Sequence, residues 1–212
     1  MDSTRTVSGL AAIAAMFKQT EAENRAAFLP FYPVGYPTYE QSVESIYAMS
    51  QVGVDGFEIG IPFSDPIADG PTIQAATQVA LEQGVTIKHA LNAVRELRGR
   101  DVSQPMLMFS YVNPIIAYGV ERFIVDAKAA GADGFIIPDL PPEEAHLFVK
   151  CVEENMALVF FLAPTSNESR IKLVAQQASG FIYVVSLTGI TGARRDLPSD
   201  LADFIGRVRA ET

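Results

Sequence analysis

Glu58 sits in the run GFEIG, whose other members are apolar or glycine, and Asp69 follows in the stretch IPFSDPIADGP. In an extended segment successive side chains point to opposite faces, so Phe57 and Ile59 share one face and Glu58 has the other. A carboxyl group among apolar neighbours sits in a low dielectric, which disfavours its charged form and raises its pKa. Such a group can both donate and accept a proton near neutral pH. The structural alternative is a buried glutamate tied to an Arg or Lys.

The segment IPFSDPIADGPTIQ holds three prolines, one glycine and two aspartates around a helix start at Pro71. Proline fixes φ, so Asp65 and Asp69 are held in set positions, as a preorganised site requires. Asp69 also stands where an N-cap would, two residues before a proline at the first helical position, and capping and catalysis are compatible. Asp65, in SDP, reads as a turn former or an interfacial residue. Glu58 and Asp69 are thus the expected acid/base carboxylate pair.

Short apolar runs alternate with stretches of helical period throughout the chain. Strands are expected at 27–32 (AFLPFY), 56–60 (GFEIG), 105–111 (PMLMFSY), 134–138 (GFIIP), 157–162 (ALVFFL) and 180–186 (GFIYVVS). Between them lie amphipathic stretches such as TYEQSVESIYAMSQ, VERFIVDAKAA, PPEEAHLFVKCVEEN and ESRIKLVAQQA. Parallel strands with helical crossovers are the natural arrangement, an α/β fold. Helices are also expected at 8–20, as two pieces within 71–99 broken at Gly84 and Val85, and at 199–210. The junctions VGVDGF (52–57) and AGADGF (130–135) are near copies, and ASGF (178–181) echoes them. In each, one glycine ends a helix in the left-handed conformation and another opens a strand. The repetition fits a TIM-type β/α barrel of which about six β/α units are present, forming a single domain over 1–212. Active sites of such barrels form at the C-terminal ends of the strands, where Glu58 and its following loop fall.

The remaining candidates are weaker. TGITGAR (188–194) offers backbone N–H groups that could wrap an anion and glycines that could let a loop close. Tyr183 could line the barrel interior or be an ordinary core tyrosine. His89 and His146 read as solvated, and Cys151 as a packed, inert thiol. No cluster has metal-ligand spacing, so no metal is expected. A net charge of −9 across 212 residues argues against a nucleic-acid surface. One cysteine, no signal-like start and no long apolar span lead to the expectation of a cytoplasmic protein.

Taken together, FEIGIPFSDPIADGPTIQ, AGADGFIIPDLPPEE, FLAPTS and YVVSLTGITGAR resemble the tryptophan synthase alpha subunit family, in order and spacing from PFYPVGYP (30–37) onward. The resemblance implies retro-aldol cleavage of indole-3-glycerol phosphate to indole and glyceraldehyde 3-phosphate, with no cofactor in this chain. It implies Glu58 for the proton transfers and Asp69 for the indole N–H. Phe31, Phe109, Tyr111 and Tyr183 would border the indole, Thr191 would meet Asp69 on loop closure, and Gly192 would give a backbone N–H to the phosphate. Asp65, Pro66, Asn113 and Asp139, with Pro114, would meet a beta subunit that holds pyridoxal phosphate. The family carries two further β/α units bearing most of the phosphate site, so a C-terminally incomplete barrel of low activity is expected. Two competing expectations are a non-catalytic module that docks on the beta subunit and another phosphate-binding barrel of aromatic amino-acid biosynthesis.

Overall fold

The computed structural model describes residues 7–185 and 201–212. Six strands form one parallel sheet in chain order: β1 (Phe31–Pro33), β2 (Phe57–Gly60), β3 (Met106–Phe109), β4 (Gly134–Ile136), β5 (Ala157–Leu162) and β6 (Ile182–Val184). The helices are α1 (Leu10–Ala22), α2 (Tyr39–Ser50), α3 (Pro71–Glu82), α4 (Ile87–Gly99), α5 (Val112–Tyr118), α6 (Val120–Ala130), α7 (Lys150–Glu153), α8 (Glu168–Gln177) and α9 (Leu201–Arg209). Each strand pairs in parallel with the next, with helical crossovers between them. This is the wall of a β/α barrel.

Two expected elements differ. β1 begins at Phe31 rather than residue 27. Residues 27–30 still run beside β2, since Phe28 and Pro30 accept the Asp55 and Glu58 N–H groups at 3.0 Å. Pro30 has no N–H to return, which breaks the ladder there. The stretch expected as one amphipathic helix opens instead with a 3-10 helix (Pro142–Phe148) before α7. Its inward residues, Pro142, Ala145, Phe148 and Cys151, recur every third position, which is the period of a 3-10 helix.

The alternation read for Glu58 holds. Phe57 and Ile59 are fully buried in the large core between sheet and helices. Leu107, level with Glu58 on β3, belongs to a separate inner cluster with Ile13, Met16, Ile136, Ala157 and Val159. Ile13 and Met16 come from α1, which packs against the strands from within.

The repeated junctions have a job beyond their glycines. Gly53 and Gly131 take positive φ as expected, at 94° and 101°, but α8 ends at Ala178 with Gly180 as the left-handed residue. The polar residue just before each strand accepts a backbone N–H of the preceding strand or its lead-in: Asp55 from Phe28 at 2.8 Å, Asp133 from Met106 at 2.9 Å, and Ser179 from Leu158 at 2.9 Å. Asp55 pairs with Arg25, and the buried Asp133 with Arg98 at 2.8 Å and the Gly9 N–H at 2.6 Å. Among the described residues, no helix is long and apolar enough to cross a membrane.

Candidate active site

Glu58 lies level with Phe31 on β1 and Leu107 on β3. It is 8% exposed, and among the described residues no hydrogen bond or ion pair reaches its carboxylate. Among the described residues, no Arg or Lys pairs with it as the structural alternative would require. Burial alone raises its pKa to about 7. The Tyr183 hydroxyl on β6 is pushed up by burial and, secondarily, by the Glu58 charge, so both groups face the inner side of the sheet.

Asp69 does not cap α3. The N-cap is Gly70, with no side-chain bond, and the Asp69 carbonyl instead accepts the Gln74 side-chain amide at 2.8 Å. Burial raises the Asp69 pKa, and the neighbouring Tyr111 hydroxyl partly opposes the rise. That hydroxyl also accepts the Ala68 N–H at 3.0 Å, tying the loop to the end of β3. Within the loop the Asp69 N–H meets the Pro66 carbonyl and the Ile67 N–H meets that of Asp65, both at 3.0 Å. The proline-bearing loop is thus also fastened by hydrogen bonds.

Aromatic rings surround the inner face. Phe31 and Phe109 meet edge to face at 5.2 Å between centroids. Gly60 makes room for this: a Cβ there would lie 2.5 Å from the Phe31 ring. Phe161 and Tyr183, register partners on β5 and β6, stack at 4.7 Å. Tyr111 is buried and packs against Phe63 at 5.4 Å. Sequence reasoning missed Gly60, Phe63 and Phe161. The signal for Phe161 was present, since it alternates with Ala157 and Val159 in ALVFFL.

Asp65 and Asn113 are exposed, and the Ser64 hydroxyl donates to Asp65. Pro66 and Asp139 are half-buried, and Asp139 accepts the Val112 N–H at 2.9 Å, where α5 begins. Ile67 and Ile116, also unread in the sequence, are 80% and 53% exposed on these same segments. Thr191 and Gly192, with the rest of TGITGAR, lie outside the described residues. Cys151 is buried, and its thiol is pushed up to about 12. His89 and His146 are exposed, with His89 accepting the Thr86 N–H at the start of α4. No group of three or more His, Cys, Asp or Glu side chains among the described residues could hold a metal ion.

An inward carboxylate, a second on a fastened mouth loop and aromatic walls make a candidate acid/base site on the parallel β/α-barrel class of enzyme. The family described as Tryptophan synthase alpha chain matches residues 17–212. The Roseiflexus sp. strain RS-1 tryptophan synthase alpha chain is 48% identical over 201 residues, covering 94% of this chain and 77% of its own. That of Chloroflexus aggregans is 48% identical over 197 residues, covering 92% and 74%. A structure of Mycobacterium tuberculosis tryptophan synthase superposes with a TM-score of 0.88 at 36% identity, covering 97% of this chain and 78% of that one. This chain belongs to the tryptophan synthase alpha chain family.

Proposed function

We propose that this chain is a carbon–carbon lyase of tryptophan biosynthesis that cleaves indole-3-glycerol phosphate into indole and glyceraldehyde 3-phosphate. The observation that carries the reading is Glu58, buried on the inner face with no partner among the described residues, and with a pKa of about 7. Breaking the bond to indole requires a proton on the ring carbon that leaves and removal of one from the hydroxyl that becomes the aldehyde. Glu58 supplies both transfers, being close to half-ionised at neutral pH. Asp69 accepts the indole N–H and stabilises the positive charge that develops on the ring. Phe31, Phe109, Tyr111 and Tyr183 flank the indole, and Thr191 and Gly192 serve loop closure and the phosphate.

In this reading the reaction proceeds in the cytoplasm without a cofactor in this chain, and indole passes to a beta subunit that holds pyridoxal phosphate in an alpha2beta2 assembly. Asp65, Pro66, Asn113 and Asp139 form the docking surface, and the exposed Ile67 and Ile116 support it, since large apolar side chains left in water suit an interface. The test is indole release from indole-3-glycerol phosphate. Glu58→Gln is expected to lower turnover about 100-fold or more. Equal turnover in both proteins would remove Glu58 from the mechanism. If neither turns over while beta-subunit activity rises on mixing, the chain is a docking module.

A further inference from the structure

The Asp69 loop is held by Tyr111 through the Ala68 N–H, and Tyr111 is in turn held from the next β/α unit. Tyr111 is the residue immediately before α5, in extended conformation with φ −95° and ψ 160°. The first N–H of that helix, on Val112, is taken by Asp139 from the loop after β4. On the other side of the same residue, the Tyr111 hydroxyl accepts the N–H of Ala68, the residue immediately before Asp69, at 3.0 Å. Burial raises the Tyr111 hydroxyl pKa, the Ala68 N–H opposes the rise, and the charges of Asp69 and Asp139 add to it. Two loops from separate units therefore converge on one buried tyrosine, one at its hydroxyl and one at its backbone.

We propose that Asp139 is a positioning residue for Asp69: by holding the Val112 N–H it fixes the backbone from which Tyr111 reaches the Asp69 loop. This rests on reading Asp69 as the group that meets the indole N–H. A carboxylate that only ended a helix would leave Asp69 indifferent to its loss. One that sets Tyr111 would transmit its loss to Asp69.

The experiment is a carbon-13 NMR titration of the Asp69 carboxyl in the full chain, which needs no turnover and so can fail independently of the proposed activity. The Tyr111 hydroxyl beside Asp69 favours its charged form, so loosening Tyr111 raises the titration midpoint. Asp139→Ala is expected to raise it by about half a unit to one unit. Asp139→Asn keeps a carbonyl acceptor for Val112 and should restore the original midpoint. In a Tyr111→Phe background, Asp139→Ala should add nothing. Val112→Pro offers a second route, because proline is well tolerated at the first helical position and removes only the N–H. It leaves the Asp139 charge in place and should reproduce the rise. An unmoved midpoint in folded Asp139→Ala or Val112→Pro protein would overturn the proposal. So would Asp139→Asn behaving like Asp139→Ala, or a full further shift in the Tyr111→Phe background.

Discussion

At Glu58, the burial that suits the carboxyl to the proposed proton transfer also works against the fold, because among the described residues the ionised form has no partner to offset its lost hydration. Its folded pKa is about 7 against an ordinary 4.5. Between those values the folded chain keeps a proton that the unfolded chain has released, so stability falls as pH rises through that window and levels off above it. At about 1.4 kcal/mol per unit, the penalty above pH 7 is on the order of 3 kcal/mol. Glu58→Gln keeps the shape and removes the charge. Urea midpoints of the two proteins should nearly coincide at about pH 4.5, and the variant should be the more stable at about pH 8. A wild type as stable as the variant at both would mean that the carboxyl is hydrated or paired. Alternation alone made the inward position of Glu58 legible. The bond from the Ala68 N–H to the Tyr111 hydroxyl was not, because it crosses from the end of β3 to another loop and leaves no local pattern.

At the level of elements, most strands and helices were readable because each announces its own period, although α5 was not foreseen; the break within 71–99 fell at Gly84 and α6 ended at Gly131 as expected, whereas α2 stopped at Ser50, short of Gly53. The hydrogen bonds between units were not readable in this way. The glycines of VGVDGF and AGADGF drew attention, yet the aspartate between them joins consecutive strands, and serine does so in ASGF. These joints should differ in strength. Asp133 is fully buried and receives the Arg98 guanidinium and the Gly9 and Met106 N–H groups. Removing a buried charged acceptor from such donors costs about 3–5 kcal/mol. Asp55 pairs with the more exposed Arg25 and takes one N–H, from Phe28. Its loss should cost only about 1–2 kcal/mol. Urea denaturation of Asp133→Ala and Asp55→Ala checks the order, and equal losses would mean that burial of the pair does not set its contribution.

For the molecule as a whole, α1 links the N-terminal segment to the inside of the sheet. Its Ile13 is fully buried against an inner cluster that includes Leu107, the register partner of Glu58. If residues 1–212 form one domain, damage at Ile13 should lower the whole unfolding transition rather than split off a second. Ile13→Ala is expected to cost about 2–5 kcal/mol, with circular dichroism and fluorescence reporting one shared transition. The consequence for the site is less direct. The void would be lined by Leu107, Ile136, Ala157 and Val159, and apolar voids of this kind stay dry. Glu58 would then keep its low-dielectric surroundings, and the pH dependence of indole release should stay put while the urea midpoint falls. A profile moved toward ordinary carboxylate values would show water reaching Glu58 through the floor of the sheet. That result would make α1 part of what sets the surroundings of Glu58 as well as part of what holds the fold.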